Sequence, residues 1–287
     1  MTDAPFPSPA DAQAAYWNSP AARPWAEQHA RQDRALAGLA TAALELAAPQ
    51  PGEHVLDIGC GSGTTVLELA ARVGPHGHVL GADIALPSVA RARARLAAAG
   101  VRHAEVLGAD VATYPFGAGS FDLAFSRLGV MFFADPTAAF ANVHRAMKPT
   151  GRVALAVFRP ASENAWPSAP AAAVRHLLPP VPPSVPDELG MFSWGDPARV
   201  QRILEGAGFR AVTLTPVNLA CQLAGAGGAA EATEFALLFG PLTRRMSGVS
   251  AEQREAVRAT LEDFFQSYVT PQGVALPSAF WIVQACV

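Results

Sequence analysis

From His54 onward the chain alternates short apolar runs with longer segments whose apolar residues recur every three or four positions. The short runs predict strands at His54–Ile58, Gly77–Asp83, Ala104–Gly108, Phe121–Ser126 and Arg152–Phe158. The longer segments predict helices over Thr64–Val73, Pro87–Ala99 and Asp135–Met147. Apolar strands separated by helices belong in a parallel sheet covered on both faces. Ahead of this region, Asp11–Trp17 reads as a short helix. Trp25–Ala48 reads as one long amphipathic helix that Pro24 starts and Pro49 and Pro51 end. Behind it, residues 159–195 hold eight prolines and break the pattern, as a lid or binding loop does. The tail predicts a helix over Asp196–Ala207, with Asp196 as its N-cap, and a strand over Phe209–Leu219. Helices over Ala229–Met246 and Ala251–Tyr268 and a last strand over Ala279–Val287 follow. Strand, two helices and strand suit an antiparallel hairpin that closes the sheet.

This order implies an N-terminal helical cap segment over 1–48 and an α/β domain over 49–287. Insertions at about 159–195 and 220–277 would contribute to the cap. The 287 residues are 51% hydrophobic, enough for one buried core. Net charge is −3 and no basic stripe is visible, which argues against nucleic acid and anionic membranes as partners. Cys60, Cys221 and Cys286 are far apart and odd in number, which fits reduced thiols rather than a disulfide framework or a metal site. Met1–Pro9 is polar and Pro-rich. It is expected to be mobile and is not a signal peptide. No apolar run reaches the ~18–20 residues that span a bilayer. The expectation is a soluble, cytoplasmic protein of unassigned oligomeric state.

The chemistry concentrates at the strand ends. Asp57 closes the first strand, and Gly59, Gly61 and Gly63 follow at alternate positions. Glycines there admit positive φ and let backbone lie against a ligand, and the next helix offers free N–H groups to an anion. Asp57 is placed to accept from an ammonium group, directly or through water. The dinucleotide pattern G-x-G-x-x-G is the close rival, which would make the protein a nucleotide-dependent oxidoreductase. Here the third glycine comes one position early, and an aspartate beside the loop would repel a pyrophosphate. Asp83 ends the second strand, where a carboxylate can take ribose hydroxyls. Asp110 follows the third strand and can accept from an adenine amino group, with Ile84 and Val111 as apolar faces for the ring.

These segments resemble the class I S-adenosylmethionine-dependent methyltransferases, and the stretch Ser126–Phe133 resembles their small-molecule, type 11-like group. Val55–Gly63 resembles their first motif, Asp83 the ribose-binding acid, Asp110 the adenine-contacting acid and Phe121–Ser126 the fourth-strand motif. Met147–Arg152 resembles the turn before the fifth strand, with Thr150 in place of a glycine. The resemblance implies a Rossmann-like, seven-stranded, mostly parallel sheet with an antiparallel last strand. It also implies S-adenosyl-L-methionine as cofactor, held by Asp57, Gly59, Cys60, Gly61, Gly63, Asp83, Ile84, Asp110, Val111 and Ser126. The same motifs would serve a protein that binds the cofactor without transferring a methyl group.

Methyl transfer from a sulfonium is an in-line displacement that needs alignment and a dry pocket. Four of the five tryptophans lie in the N-terminal segment and the Pro-rich insertion. Trp17, Phe132, Trp166 and Trp194 are the expected wall of a pocket for a small apolar or aromatic acceptor. Candidate polar groups are Tyr16, His29, Arg127, Glu163 and Asn164. Arg127 and Tyr16 are the candidate catalytic pair, with Arg127 set to orient an anionic acceptor or to pair with Asp135. His29 is read as a surface or packing residue.

Overall fold

The computed structural model describes residues 8–180, 189–246 and 248–287. The expectation for Met1–Pro7, and prolines 182, 183 and 186 of the Pro-rich stretch, lie outside the described residues. Five strands lie where the apolar runs place them: β1 (His54–Ile58), β2 (His78–Asp83), β3 (Ala104–Gly108), β4 (Phe121–Arg127) and β5 (Met147–Phe158). β6 (Arg210–Ala224), β7 (Val269–Thr270) and β8 (Gly273–Cys286) complete one sheet of order β3-β2-β1-β4-β5-β8-β6, with β7 paired to β8. β8 runs antiparallel between β5 and β6, so the inferred hairpin closes the parallel sheet. The two-residue β7 makes the sheet eight-stranded rather than seven.

The helices are α1 (Pro9–Trp17), α2 (Arg23–Glu27), α3 (His29–Ala35), α4 (Ala37–Ala47), α5 (Thr64–Val73) and α6 (Leu86–Ala98). α7 (Pro136–Ala146), α8 (Ala165–Ala173), α9 (Pro197–Gly206), α10 (Gly228–Leu238), α11 (Leu242–Arg245) and α12 (Ala251–Gln266) follow. Local chemistry accounts for several ends. Ser8 and Asp11 form a capping box on α1, so Ser8 and Pro9 are ordered against expectation. Asp135 and Asp196 cap α7 and α9, each followed by a proline at the first helical position.

Four expectations are corrected, one of them the helix over Ala229–Met246, which is two helices, α10 and α11, parted at Phe239–Pro241. The single helix over Trp25–Ala48 is three helices, because Gln28 (φ −107°, ψ 25°) and Leu36 (φ −107°, ψ 9°) leave helical geometry. Neither break carries a glycine or proline, so the periodicity runs straight through them. β6 and β8 are each longer than the pattern shows. Their pairing continues to Ala224 against Val274, where Cys221, Leu223, Val274 and Leu276 are buried. The insertion between these strands is shorter accordingly. β5 begins at Met147, which pairs with Phe121, rather than at Arg152.

The core lies along β1, β4, β5 and β8, where Leu56, Phe125, Leu155 and Ile282 are fully buried. One arginine ties this core to the cap. The Arg152 guanidinium donates to the carbonyls of Ala47 and Ala48, at the end of α4, and to both oxygens of Glu53 just before β1. The planar fork satisfies helix-end carbonyls and a carboxylate together, which an ammonium cannot do. Replacing Arg152 with Ala is expected to cost about 2 kcal/mol and lower Tm by about 4–8 °C, with Lys recovering less than half of the loss. Thermal unfolding of both variants checks this.

Candidate functional site

The carboxyl ends of β1, β2, β3 and β4 open on a cavity of about 400 Å³. Its floor is the turn from β1 into α5. Gly59, Gly61 and Gly63 all have positive φ, at +66°, +53° and +82°. A side chain at Gly59 would place Cβ 2.6 Å from the Cα of Gly129. At Gly61 nothing lies within 4 Å of that position, so the backbone there is open. Gly59 and Cys60 donate through their amides to the carbonyl of Ala82, and the Gly61 amide donates to Asp83 Oδ2 at 2.7 Å. Asp83 Oδ1 accepts from the Ala85 amide at 2.8 Å. Burial pushes the Asp83 carboxyl above the ordinary range, and the surrounding amides oppose that shift.

Gly59, Cys60, Gly61, Asp83, Ile84, Asp110 and Val111 all line the cavity. Asp110 Oδ1 accepts from the Ala112 amide, and Asn142 holds this loop by donating to the carbonyls of Val111 and Tyr114. Asn142 stands within an otherwise apolar helix face, a signal that could have marked it in the sequence.

Three of the expected cofactor residues are not on the wall. Gly63 packs against Ala92 as the N-cap of α5. Ser126 is fully buried. Its hydroxyl donates to the Ile58 carbonyl at 2.7 Å and accepts from the Gly129 amide at 3.2 Å, so it braces the floor from behind. Asp57 is fully buried beneath the loop, where Oδ2 accepts from the Thr65 hydroxyl at 2.5 Å and Oδ1 has no partner. Desolvation raises its pKa to about 7, opposed by the Thr65 hydrogen bond and the charge of Arg127.

The acceptor-side expectations divide. Trp17, Phe132 and Trp166 line the cavity. They belong to a run of rings in edge or tilted contact that passes from Phe132 through Trp17, Trp25, Phe239 and Phe235 to Trp166. Trp194 is off the wall. It is buried against Phe140, with ring centroids 5.4 Å apart, and packs the core. Tyr16 is also off the wall, with the Arg244 guanidinium 4.4 Å over its ring. Glu163 pairs with Arg159, and Asn164 braces the β5 exit by accepting from the Ala279 amide.

Arg127 lines the cavity, with only 13% of its side chain exposed. Its partner is Asp33, 3.8 Å away, and not Asp135, which is engaged in capping α7. Asp33 also accepts from the Thr64 hydroxyl at 2.5 Å and pairs with Arg95 at 3.2 Å. Arg95 in turn donates to the Ser62 carbonyl, so Asp33 fastens α3 onto the glycine loop. Periodicity gave no hint of Asp33, because its partners come from three distant segments. Around the same cavity, Gln13 Oε1, Gln32 Nε2 and Arg127 Nη1 are buried without hydrogen-bond partners. Orphaned polar atoms on a cavity wall are the mark of a site built for a polar ligand.

Residues 55–151 match the model of a family described as a methyltransferase domain. This stretch is similar to a methyltransferase domain. The cofactor of such a domain is S-adenosylmethionine, and the open glycine loop, paired strand-end acids and orphaned polar atoms fit it. Nocamycin O-methyltransferase of Saccharothrix syringae is 35% identical over 174 residues, 58% of this chain and 62% of that protein. Aklanonic acid methyltransferase DauC of Streptomyces sp. (strain C5) is 36% identical over 118 residues, 40% of this chain and 54% of that protein. The chain therefore spans less than two thirds of these curated relatives. The YcgJ protein from Bacillus subtilis shares the fold, with a TM-score of 0.55 at 18% identity over 86% of this chain and 97% of that one. Among the described residues, no helix is long and apolar enough to cross a membrane.

The burial of Asp57 has a consequence for stability. Its folded pKa, about 7, lies above the ordinary aspartate value of 3.8, so between those values the folded chain holds a proton that the unfolded chain has lost. Stability from this group is greatest below pH 3.8 and falls as pH rises toward 7. Asp57→Asn keeps an acceptor for Thr65 and removes the titration. The stability of the variant relative to the parent is expected to rise by about 3 kcal/mol between pH 5 and pH 8. Urea unfolding at both pH values checks this, and parallel behaviour of the two proteins would rule it out.

Proposed function

We propose that this protein transfers a methyl group from S-adenosylmethionine to a small acceptor with an apolar, aromatic-sized body. The observation that carries the reading is the division of one cavity. Its strand-end side is polar and carries Asp83, Asp110 and the glycine loop, and its cap side carries the run of rings from Phe132 to Trp166. The cofactor supplies an electrophilic methyl on a positively charged sulfur. In this reading Asp83 takes the ribose hydroxyls, Asp110 the adenine amino group, and Ile84 and Val111 the faces of the ring, all four lining the cavity. Arg127 and Gln32 offer unpaired donors beside the head of the glycine loop, which suits the cofactor's carboxylate. In this reading Arg127 serves the cofactor rather than an anionic acceptor, and Tyr16 supports the cap. The rings exclude water and hold the acceptor in line, as a displacement requires. The names of the two curated relatives support a small-molecule acceptor, and the O-methyltransferase supports oxygen as the receiving atom.

Thermal shift with S-adenosylmethionine, S-adenosylhomocysteine and NAD tests the cofactor. Stabilisation by the first two alone is expected, and stabilisation by NAD alone overturns the reading. Asp83→Ala should weaken S-adenosylhomocysteine binding by about 1–3 kcal/mol in calorimetry. A labelled-methyl assay over phenols, carboxylates, amines and thiols tests transfer. Tight cofactor binding with no transfer to any class would make the protein a binder only. Trp166→Ala should raise acceptor KM while leaving S-adenosylhomocysteine binding intact. Trp194→Ala should instead cost about 3–5 kcal/mol of stability, the cost of emptying a buried aromatic site.

A further inference from the structure

We propose that His29 is the general base of the reaction and that the acceptor is a neutral hydroxyl compound, a phenol or enol, whose proton His29 removes. This rests on the proposed methyl transfer and names the group that prepares its acceptor.

The placement of His29 comes from its neighbours. Trp25, four residues before it, accepts at its carbonyl from the Ser62 hydroxyl. Asp33, four residues after it, accepts from the Thr64 hydroxyl. α2 and α3 are thus pinned to the glycine loop on either side of His29, and His29 itself lines the cavity. The break at Gln28 permits this, since it lets α3 start afresh over the loop.

The ring has one orientation of its proton. Nδ1 lies 3.2 Å from the Ala26 carbonyl oxygen, which can only accept. Nδ1 therefore carries the hydrogen, and the neutral ring leaves Nε2 with an open lone pair. Nε2 makes no hydrogen bond among the described residues.

The other titratable groups on the wall are engaged or unsuited. Asp83 and Asp110 sit at the nucleoside side with amide partners. Asp33 is held by Thr64 and Arg95, and Asp135 caps α7. Burial and the charges of Asp83 and Asp57 push the Cys60 thiol far up, so it does not ionise at neutral pH. The charged groups on α2 and α3 are Arg23, Glu27, Arg31, Asp33 and Arg34, and Arg95, Arg127 and Glu231 pair with them from outside. Within this set Asp33 pairs with Arg95 and Arg127, and Glu231 with Arg34. Among the described residues, the His29 imidazole is thus the one base lining the cavity without an ion-pair, capping or amide partner. A neutral hydroxyl needs such a base, whereas a carboxylate acceptor is already ionised.

The step balances without redox change. The acceptor hydroxyl gives its proton to Nε2 as its oxygen forms the new bond to the methyl carbon. The electron pair of the broken carbon–sulfur bond stays on sulfur, and the imidazolium later loses its proton to solvent.

The test uses His29→Asn, whose amide nitrogen can keep the bond to the Ala26 carbonyl and so preserve the fold. Phenols of one to three fused rings, with and without nitro groups that ionise them at the assay pH, are the probes. The expected result is a kcat loss of about 100-fold or more for un-ionised phenols with little change in KM, and a far smaller loss for the ionised nitrophenols. The low-pH limb of the kcat profile should vanish in the variant, and S-adenosylhomocysteine affinity should be unchanged. In the parent protein, nitrogen NMR of the His29 ring should show hydrogen on Nδ1. Equal losses for all phenols, a retained pH limb, hydrogen on Nε2, or transfer to amines or thiols alone would overturn the assignment. Failure of S-adenosylmethionine to bind the parent protein would instead sink the functional reading beneath it.

Discussion

The site depends on how closely the chain leaving β1 passes the chain leaving β4. Gly59 and Gly129 face one another with no room for a side chain on either, since a Cβ on Gly129 would lie 2.6 Å from the Ile58 carbonyl oxygen. Ser126 completes the crossing by bonding that carbonyl and the Gly129 amide. The β4 exit pays for this closeness in backbone strain, with Leu128 at φ +64°, a conformation that costs a leucine about 1–2 kcal/mol. The approach sets the floor of the cavity and aims Arg127 and Leu128 at it from the neighbouring strand. Ligand-binding crevices at the strand ends of open α/β sheets form where neighbouring connections diverge, and β1 and β4 are that pair here.

A second constraint joins the cap to this floor. α2 and α3 have few buried residues of their own, Ala26 and Ala35 among them, so apolar packing alone does not fix them over the loop. Polar contacts supply the position: Ser62 to the Trp25 carbonyl, Thr64 and Arg95 to Asp33. Each is directional and partly shielded from water, so the cap is held in register while its aromatic side remains open to a ligand. Three short helices suit this better than one long one. A straight helix through Trp25 and Ala48 would carry a single stripe, whereas the breaks at Gln28 and Leu36 turn different residues toward the cavity and toward the sheet.

The strands, their order and the strand-end acids were legible because each follows from local pattern. A buried parallel strand must be apolar throughout, and a glycine turn with a preceding acid has few other uses. Trp194 and Tyr16 misled because aromatic character is shared by pocket walls and cores, and only the partner tells them apart: Phe140 for Trp194, Arg244 for Tyr16. Arg127 was legible in place but not in role, since Asp33 lies 94 positions earlier in the chain and nothing local ties them. The place of His29 on the cavity wall was not legible either, because it follows from a helix break that periodicity does not register.

Electrostatics bind these pieces into one arrangement. Asp57 and Arg127 are both largely out of water, and neither carries a full set of hydrogen bonds. Burial drives Asp57 toward its neutral form and Arg127 below its ordinary range, while each opposes the other's shift. Such a pair is costly when it faces nothing, because desolvation exceeds the attraction that partly screened charges can return. A bound zwitterion alters that balance from both sides. Its carboxylate would give Arg127 Nη1 a partner, and its ammonium would favour ionised Asp57 across the loop. Under the proposed function, the poor satisfaction of these two groups would favour a zwitterion over other ligands. A ligand bearing only one of the two charges relieves one strain and leaves the other, and a neutral nucleoside relieves neither.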